Sequence, residues 1–196
     1  DFSQGIIGAN GIVSGGLPIA TGIGLSILRR GTDQVVACFF GDGATAEGAF
    51  HESLNLASLW QAPVVFVCQN NLYGLSQPWA KTAYQCDLVR RVETYHIPAE
   101  CVDGMDAVAV YQAVRRAVQQ TRAGGGPHFV EAKTYRMHGH FVGDPGLYMP
   151  AEEREAWRQK DSLQLMANHL REWGYLSDEE DTRIGADVAA ELEAGV

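Results

Sequence analysis

An aspartate between two glycines, Gly41-Asp42-Gly43, closes one apolar run, and Asn70-Asn71-Leu72-Tyr73-Gly74 closes the next. A carboxylate and a carboxamide at neighbouring strand ends are hard oxygen ligands of the kind Mg2+ takes alongside substrate phosphates. Asp42 would supply a carboxylate and Asn71 an amide oxygen, with a backbone carbonyl near Tyr73, two phosphate oxygens and a water completing about six ligands. The glycines let main-chain N–H groups approach a diphosphate, helped by a helix expected to begin near Ala46. Other readings compete. Each loop alone is an ordinary tight turn, and Gly41, Gly43 and Ala46 imitate the G-x-G-x-x-A of a dinucleotide site. Against the latter, Asp42 would face a pyrophosphate without a cation, and the second run ends in Gln69-Asn70-Asn71 where a ribose-binding acid is wanted. Further along, His138-Gly139-His140 reads as ordinary loop histidines or as a metal pair, with no third ligand nearby.

The elements that position these residues follow from hydrophobic patterning. Val35–Phe40 and Val64–Cys68 are short apolar, β-branched runs, and Ala46–Trp60 between them repeats Ala46, Ala49, Phe50, Leu54 and Ala57 at helical spacing. That is a βαβ unit. Ile97–Val102, a helix from Asp106 to about Arg122, and Phe129–Thr134 continue the alternation, and a helix is expected around Leu17–Arg30 behind a glycine-rich opening. Alternation of this kind predicts an α/β fold: a parallel sheet with helices on both faces and sites at the carboxyl ends of the strands. Small residues along Ala46–Trp60 suit either close packing on the domain's own sheet or a helix contact in an assembly. From Ala151 the character changes. Leu163, Met166, Leu170 and Trp173 form an apolar stripe, and Ser177 with Glu180 makes a capping box for a last helix carrying Ile184, Val188 and Leu192. A domain over 1–150 with a helical tail over 151–196 is the expected organisation.

The chain has 196 residues, enough for one domain with a substantial core. Hydrophobic residues at 46% and charged residues at 20% describe a globular protein, and no apolar run approaches a membrane span. Fifteen Lys and Arg against 24 Asp and Glu give a net charge of −9, the wrong sign for a nucleic-acid partner. Residues 1–150 hold 12 acids and 10 bases, whereas 151–196 hold 12 acids and five bases, so the tail reads as a solvated acidic surface. Four cysteines without a C-x-x-C pair suit a reducing, cytoplasmic compartment. The chain opens at Asp1 and is expected to be a piece of a longer one.

Gly-Asp-Gly, 26 intervening residues and Asn-Asn resembles the thiamine-diphosphate motif. Together with Asn10-Gly11-Ile12-Val13, Val102-Asp103-Gly104-Met105-Asp106, Thr134–His140 and Gly143-Asp144-Pro145, it is similar to the alpha subunit of the 2-oxo acid dehydrogenase E1 family, lacking its front segment. The match covers roughly residues 5–150. It implies a thiamine-diphosphate-binding fold and an enzyme, expected to be inactive without its beta partner, that decarboxylates pyruvate or cleaves acetoin and passes the acyl group to lipoyl on E2.

By the same resemblance, Asp42, Asn71 and the Tyr73 carbonyl would bind Mg2+, Gly43 and Ala44 would touch the diphosphate, and Gly11 and Val13 would meet the aminopyrimidine through main-chain atoms. His138 falls on the family's active-site loop histidine, near the phosphates and the lipoyl entrance, and His140 on a structural loop position. Cofactor activation would need a glutamate from an E1 beta subunit in an α2β2 assembly, and a preceding segment would add a Tyr-Arg pair and a further histidine. Mitochondrial pyruvate dehydrogenase alpha subunits carry a phosphorylatable serine where this chain has Phe141, so kinase control at that position is expected to be absent and a bacterial acetoin-type or general pyruvate-type subunit is favoured. A transketolase-like or acetolactate-synthase-like branch and a non-catalytic scaffold domain are the rival readings.

Overall fold

The apolar runs form a parallel sheet in a computed structural model that describes residues 1–9 and 11–195. Asn10, the first residue of the matched Asn10–Val13 stretch, lies outside the described residues. After α1 (Gly16–Arg30), β1 (Val36–Gly41) leads through α2 (Gly48–Trp60) to β2 (Val64–Asn70). A two-residue hairpin, β3 (Tyr73–Gly74) and β4 (Gln77–Pro78), and two short helices, α3 (Trp79–Thr82) and α4 (Leu88–Glu93), follow. β5 (Ala99–Asp103), α5 (Ala107–Gln120) and β6 (His128–Lys133) complete the sheet. Three helices come last: α6 (Ala151–Arg158), α7 (Ser162–Glu172) and α8 (Asp178–Ala194).

The sheet order is β1-β2-β6-β5, every pair parallel. β1 to β2 steps one way along the sheet and β5 to β6 the other. Right-handed crossovers therefore place α2 and α5 on opposite faces. On one face Leu17, Phe50, Leu54, Ala57, Leu88 and Val92 pack with Phe66 and Phe129. On the other, Ala113 and Ala117 of α5 cover Val65, Val67 and Val130. β2 lies between both layers, and five consecutive buried residues explain why it reads as an unbroken apolar run. A Cβ at Gly24 would come within 2.8 Å of Val64 Cγ2, so its absence lets α1 sit close against the start of β2.

The expected parallel sheet with helices on both faces is what forms, with differences in detail. The helix expected from Ala46 begins at Gly48, because Asp42–Ala46 form a 3-10 turn and Glu47 is extended (φ −81°, ψ 147°). α2 therefore starts five residues after Gly43. α2 turns Phe50, Ser53, Leu54 and Ala57 inward, packing them within the domain itself. The tail has three helices where two were expected. α6 escaped notice because Trp157 is its one large apolar residue, too little to define a stripe. The Ser177–Glu180 capping box forms as read, whereas Ile184, Val188 and Leu192 are exposed.

Candidate functional site

β1 and β2 run in register to their carboxyl ends, with Gly41 opposite Gln69, so the turns beginning at Asp42 and Asn71 meet side by side. The Asn71 N–H donates to Asp42 Oδ1 at 3.3 Å. A Cβ at Gly43 would lie 3.5 Å from the Gly74 Cα, so these glycines bring the two turns together. Asp42 is 1% exposed, and its Oδ2 has no hydrogen-bond partner. Burial pushes the Asp42 carboxyl above its usual range, against the pull of backbone N–H bonds from Asp42 and Asn71 and of the Arg136 charge, while Glu131 pushes it further up. The Thr45 hydroxyl ties the turn down by donating to the Asp42 carbonyl at 2.8 Å, and Arg91 Nη2 donates to the Thr45 carbonyl at 2.9 Å.

The second turn is held from β6. Glu131, also 1% exposed, accepts from Asn70 Nδ2 at 2.7 Å, and Asn70 Oδ1 accepts from the Leu72 N–H at 3.2 Å. Asn71 Oδ1 accepts from the Tyr73 N–H at 3.1 Å. These local bonds hold Leu72 at φ +69°, a left-handed conformation costly for a residue with a branched side chain. The segment after β6 runs alongside, where the Thr134 N–H donates to the Asn70 carbonyl at 2.9 Å and the Arg136 N–H to the Asn71 carbonyl at 3.3 Å.

Two buried carboxylates near one another, one with an orphaned oxygen, need positive charge. Asp42 Oδ2, the Asn71 carboxamide oxygen and the Tyr73 carbonyl are oxygen donors on adjoining turns, and each neutral donor keeps a second lone pair beyond the bond it already accepts. That donor set fits Mg2+. Among the described residues no three His, Cys, Asp or Glu side chains converge on a metal position.

The remaining predicted residues are placed differently. Ala44 is buried within the 3-10 turn and Gly43 half-buried beside it. Gly11 and Val13 are exposed in the segment leading into α1. His138 is exposed on the loop after β6, beside a depression lined by Met137, Phe141, Asp144, Arg154 and Arg158. The backbone N–H of His140 donates to Asp144 Oδ2 at 2.7 Å.

Three contributors escaped sequence reasoning as site residues: Glu131, Arg136 and Glu153. A lone acid inside Phe129-Val130-Glu131-Ala132 was the available signal for the first. Arg136 carried no signal beyond its place in the matched stretch. Glu153 of α6 accepts from the Tyr73 hydroxyl at 2.7 Å, and Trp157 stacks on Tyr135 at 5.5 Å between centroids. α6 is thus part of the frame around the second turn as well as acidic surface.

Asp144 organises the His138 loop. It accepts from the Tyr148 hydroxyl at 2.7 Å, the His140 N–H at 2.7 Å and the Gly146 N–H at 2.9 Å. These bonds, the Tyr148 hydroxyl first, draw its carboxyl below the usual carboxylate range. A depressed acid contributes order above its free pKa and loses it as pH falls through the lower folded value. Protease resistance of residues 137–146 should therefore hold steady from pH 7 to about pH 5, whereas Asp144→Ala should open the loop throughout that range, as read by peptide mapping of limited digests.

Residues 2–196 match the family described as dehydrogenase E1 component. The chain is 46% identical over 172 residues to the alpha subunit of acetoin:2,6-dichlorophenolindophenol oxidoreductase from Bacillus subtilis, covering 87% of this chain and 51% of that protein. It is 40% identical over 197 residues to the subunit of the same name from Cupriavidus necator, covering 100% and 59%. To the somatic, mitochondrial pyruvate dehydrogenase E1 component subunit alpha of Homo sapiens it is 37% identical over 194 residues, covering 98% and 49%. The chain spans about half the length of the curated relatives it matches.

Proposed function

This chain belongs to the dehydrogenase E1 component family, and from that premise we propose that it carries the metal and diphosphate half of a thiamine-diphosphate site in an E1 alpha subunit. The observation that carries the reading is Asp42: a buried carboxylate whose Oδ2 lacks a partner, set beside Asn71 and the turn that ends in the Tyr73 carbonyl. Residues 1–150 would form the binding domain and 151–196 its helical tail.

When bound, thiamine diphosphate supplies the carbanion chemistry by which a 2-oxo acid loses CO2 or acetoin is cleaved. The protein's own residues bind and orient. Asp42, Asn71 and the Tyr73 carbonyl would hold Mg2+ against the diphosphate, and the main chain at Gly43 and Ala44 would contact the phosphate oxygens. Gly11 and Val13 would meet the aminopyrimidine through backbone atoms. His138, exposed on its loop, would stand where the phosphates and an incoming lipoyl group are reached. Activation of the ring would fall to a glutamate on an E1 beta partner, in an assembly we take to be α2β2, with the acyl group passed to a lipoyl-bearing E2. Similarity to bacterial subunits named for acetoin favours a bacterial cytoplasmic enzyme, and the four cysteines are free, as a reducing compartment requires. No helix among the described residues is long and apolar enough to cross a membrane.

The test is calorimetric titration of thiamine diphosphate into the full-length protein, with Mg2+ and with EDTA. Binding is expected with Mg2+ and not with EDTA. Binding indifferent to the metal, or none at millimolar cofactor, would sink the reading. Turnover of pyruvate against acetoin by the assembled enzyme then decides the substrate.

A further inference from the structure

The Tyr73 carbonyl, one of the groups proposed to face the metal, is already bonded from the other side. Arg136 Nη2 donates to it at 2.7 Å, and Arg136 Nη1 donates to the Leu75 carbonyl at 2.6 Å. With its backbone N–H on the Asn71 carbonyl, this one residue holds three carbonyls of a turn six residues long. The turn needs holding, because Leu72 at φ +69° and Leu75 at φ +53° both sit in the left-handed region. A planar guanidinium suits the task, since its rigid fork serves two carbonyls from two nitrogens, a geometry that lysine's single nitrogen does not reproduce. A carbonyl oxygen has two lone pairs, so an N–H on one leaves the other for a cation. The Arg136 charge also acts on Asp42, easing the buried carboxylate when no metal is there.

We infer that Arg136 is a positioning residue for the metal site: it fixes the Tyr73 carbonyl in the attitude in which a divalent cation takes it, and shares that oxygen with the metal. Because His138 lies two residues further on, the same side chain joins the metal turn to the base of the histidine loop. This inference rests on the metal reading above.

The experiment measures Mn2+ binding by electron paramagnetic resonance, in the presence of thiamine diphosphate, to the full-length wild type, Arg136→Lys and Arg136→Met, with thermal unfolding of each. Groups that orient metal ligands typically contribute 10–100-fold to metal affinity. Arg136→Met is expected to weaken Mn2+ binding by about that factor, and Arg136→Lys, keeping one bond, by less. Unchanged affinity in folded Arg136→Met, with only the melting temperature lowered, would mean a merely structural role and overturn the inference. Tighter binding would also overturn it, showing competition instead of sharing. Should the Met variant fail to fold, wild-type affinity in Arg136→Lys overturns it equally. If the wild type itself binds no Mn2+, the metal reading fails first and the role of Arg136 falls with it.

Discussion

Asp42→Asn is expected to abolish metal-dependent binding of thiamine diphosphate while making the metal-free protein more stable. The two signs follow from one geometry. Asp42 is buried, its Oδ2 makes no bond, and Glu131 adds negative charge nearby. Removing that charge relieves a desolvation penalty of about 1–3 kcal/mol in the metal-free state. In the proposed metal site the same charge would be the main protein ligand. Its loss should weaken binding by more than about 100-fold, since changes merely behind a ligand already cost 10–100-fold. Urea unfolding in EDTA and titration calorimetry with Mg2+ read the two effects separately. A variant that unfolds more easily in EDTA, or still binds the cofactor through the metal, would show that Asp42 is a structural turn residue.

Phe50→Ala should cost about 3–5 kcal/mol of unfolding free energy, the usual range for a buried aromatic truncated to Ala. Phe50 is fully buried on α2 and meets Phe40 and Phe129 edge-on at 6.1 and 6.5 Å, with the Arg91 guanidinium 5.9 Å from its ring centre. The hole would open between α2, β1 and β6, which is where the sheet holds α2. Arg91 also donates to the Thr45 carbonyl, so the turn bearing Asp42 loses a support in the same step. Against a typical total of 5–15 kcal/mol this is a large fraction. A melting-temperature decrease of roughly 10 °C is expected for a chain of this size. A loss under about 1 kcal/mol would mean the cavity collapses and the site does not depend on this packing.

The sheet was legible because β1 and β2 are short apolar runs with a helical spacing between them and the alternation continues through β5 and β6, and β2, covered on both faces, has the plainest signal. The β3–β4 hairpin and α3 are two to four residues long, too short for any period to show. The 3-10 turn at Asp42–Ala46 hid inside a pattern of small residues that suits a helix equally well. In the site, Asp42 and Asn71 could be found because each ends a strand at a readable spacing. Glu131 and Arg136 could not, because their relevance depends on β6 lying next to β2, and chain order alone leaves that adjacency open. The unexpected role of α6 has the same cause: Glu153 meets Tyr73 across 80 residues of chain.

Tyr73 reaches in two directions, its carbonyl toward the proposed metal position and its hydroxyl to Glu153 on α6. A single rigid side chain therefore acts as a strut between a ligand turn and the first helix of the acidic tail. Whatever free energy a ligand gains from having α6 docked, α6 gains in docking from having the ligand bound, because linkage between two equilibria is reciprocal. Through that strut the tail is a thermodynamic counterpart of the site, and cutting it at Pro150 would be registered as a change in affinity at Asp42.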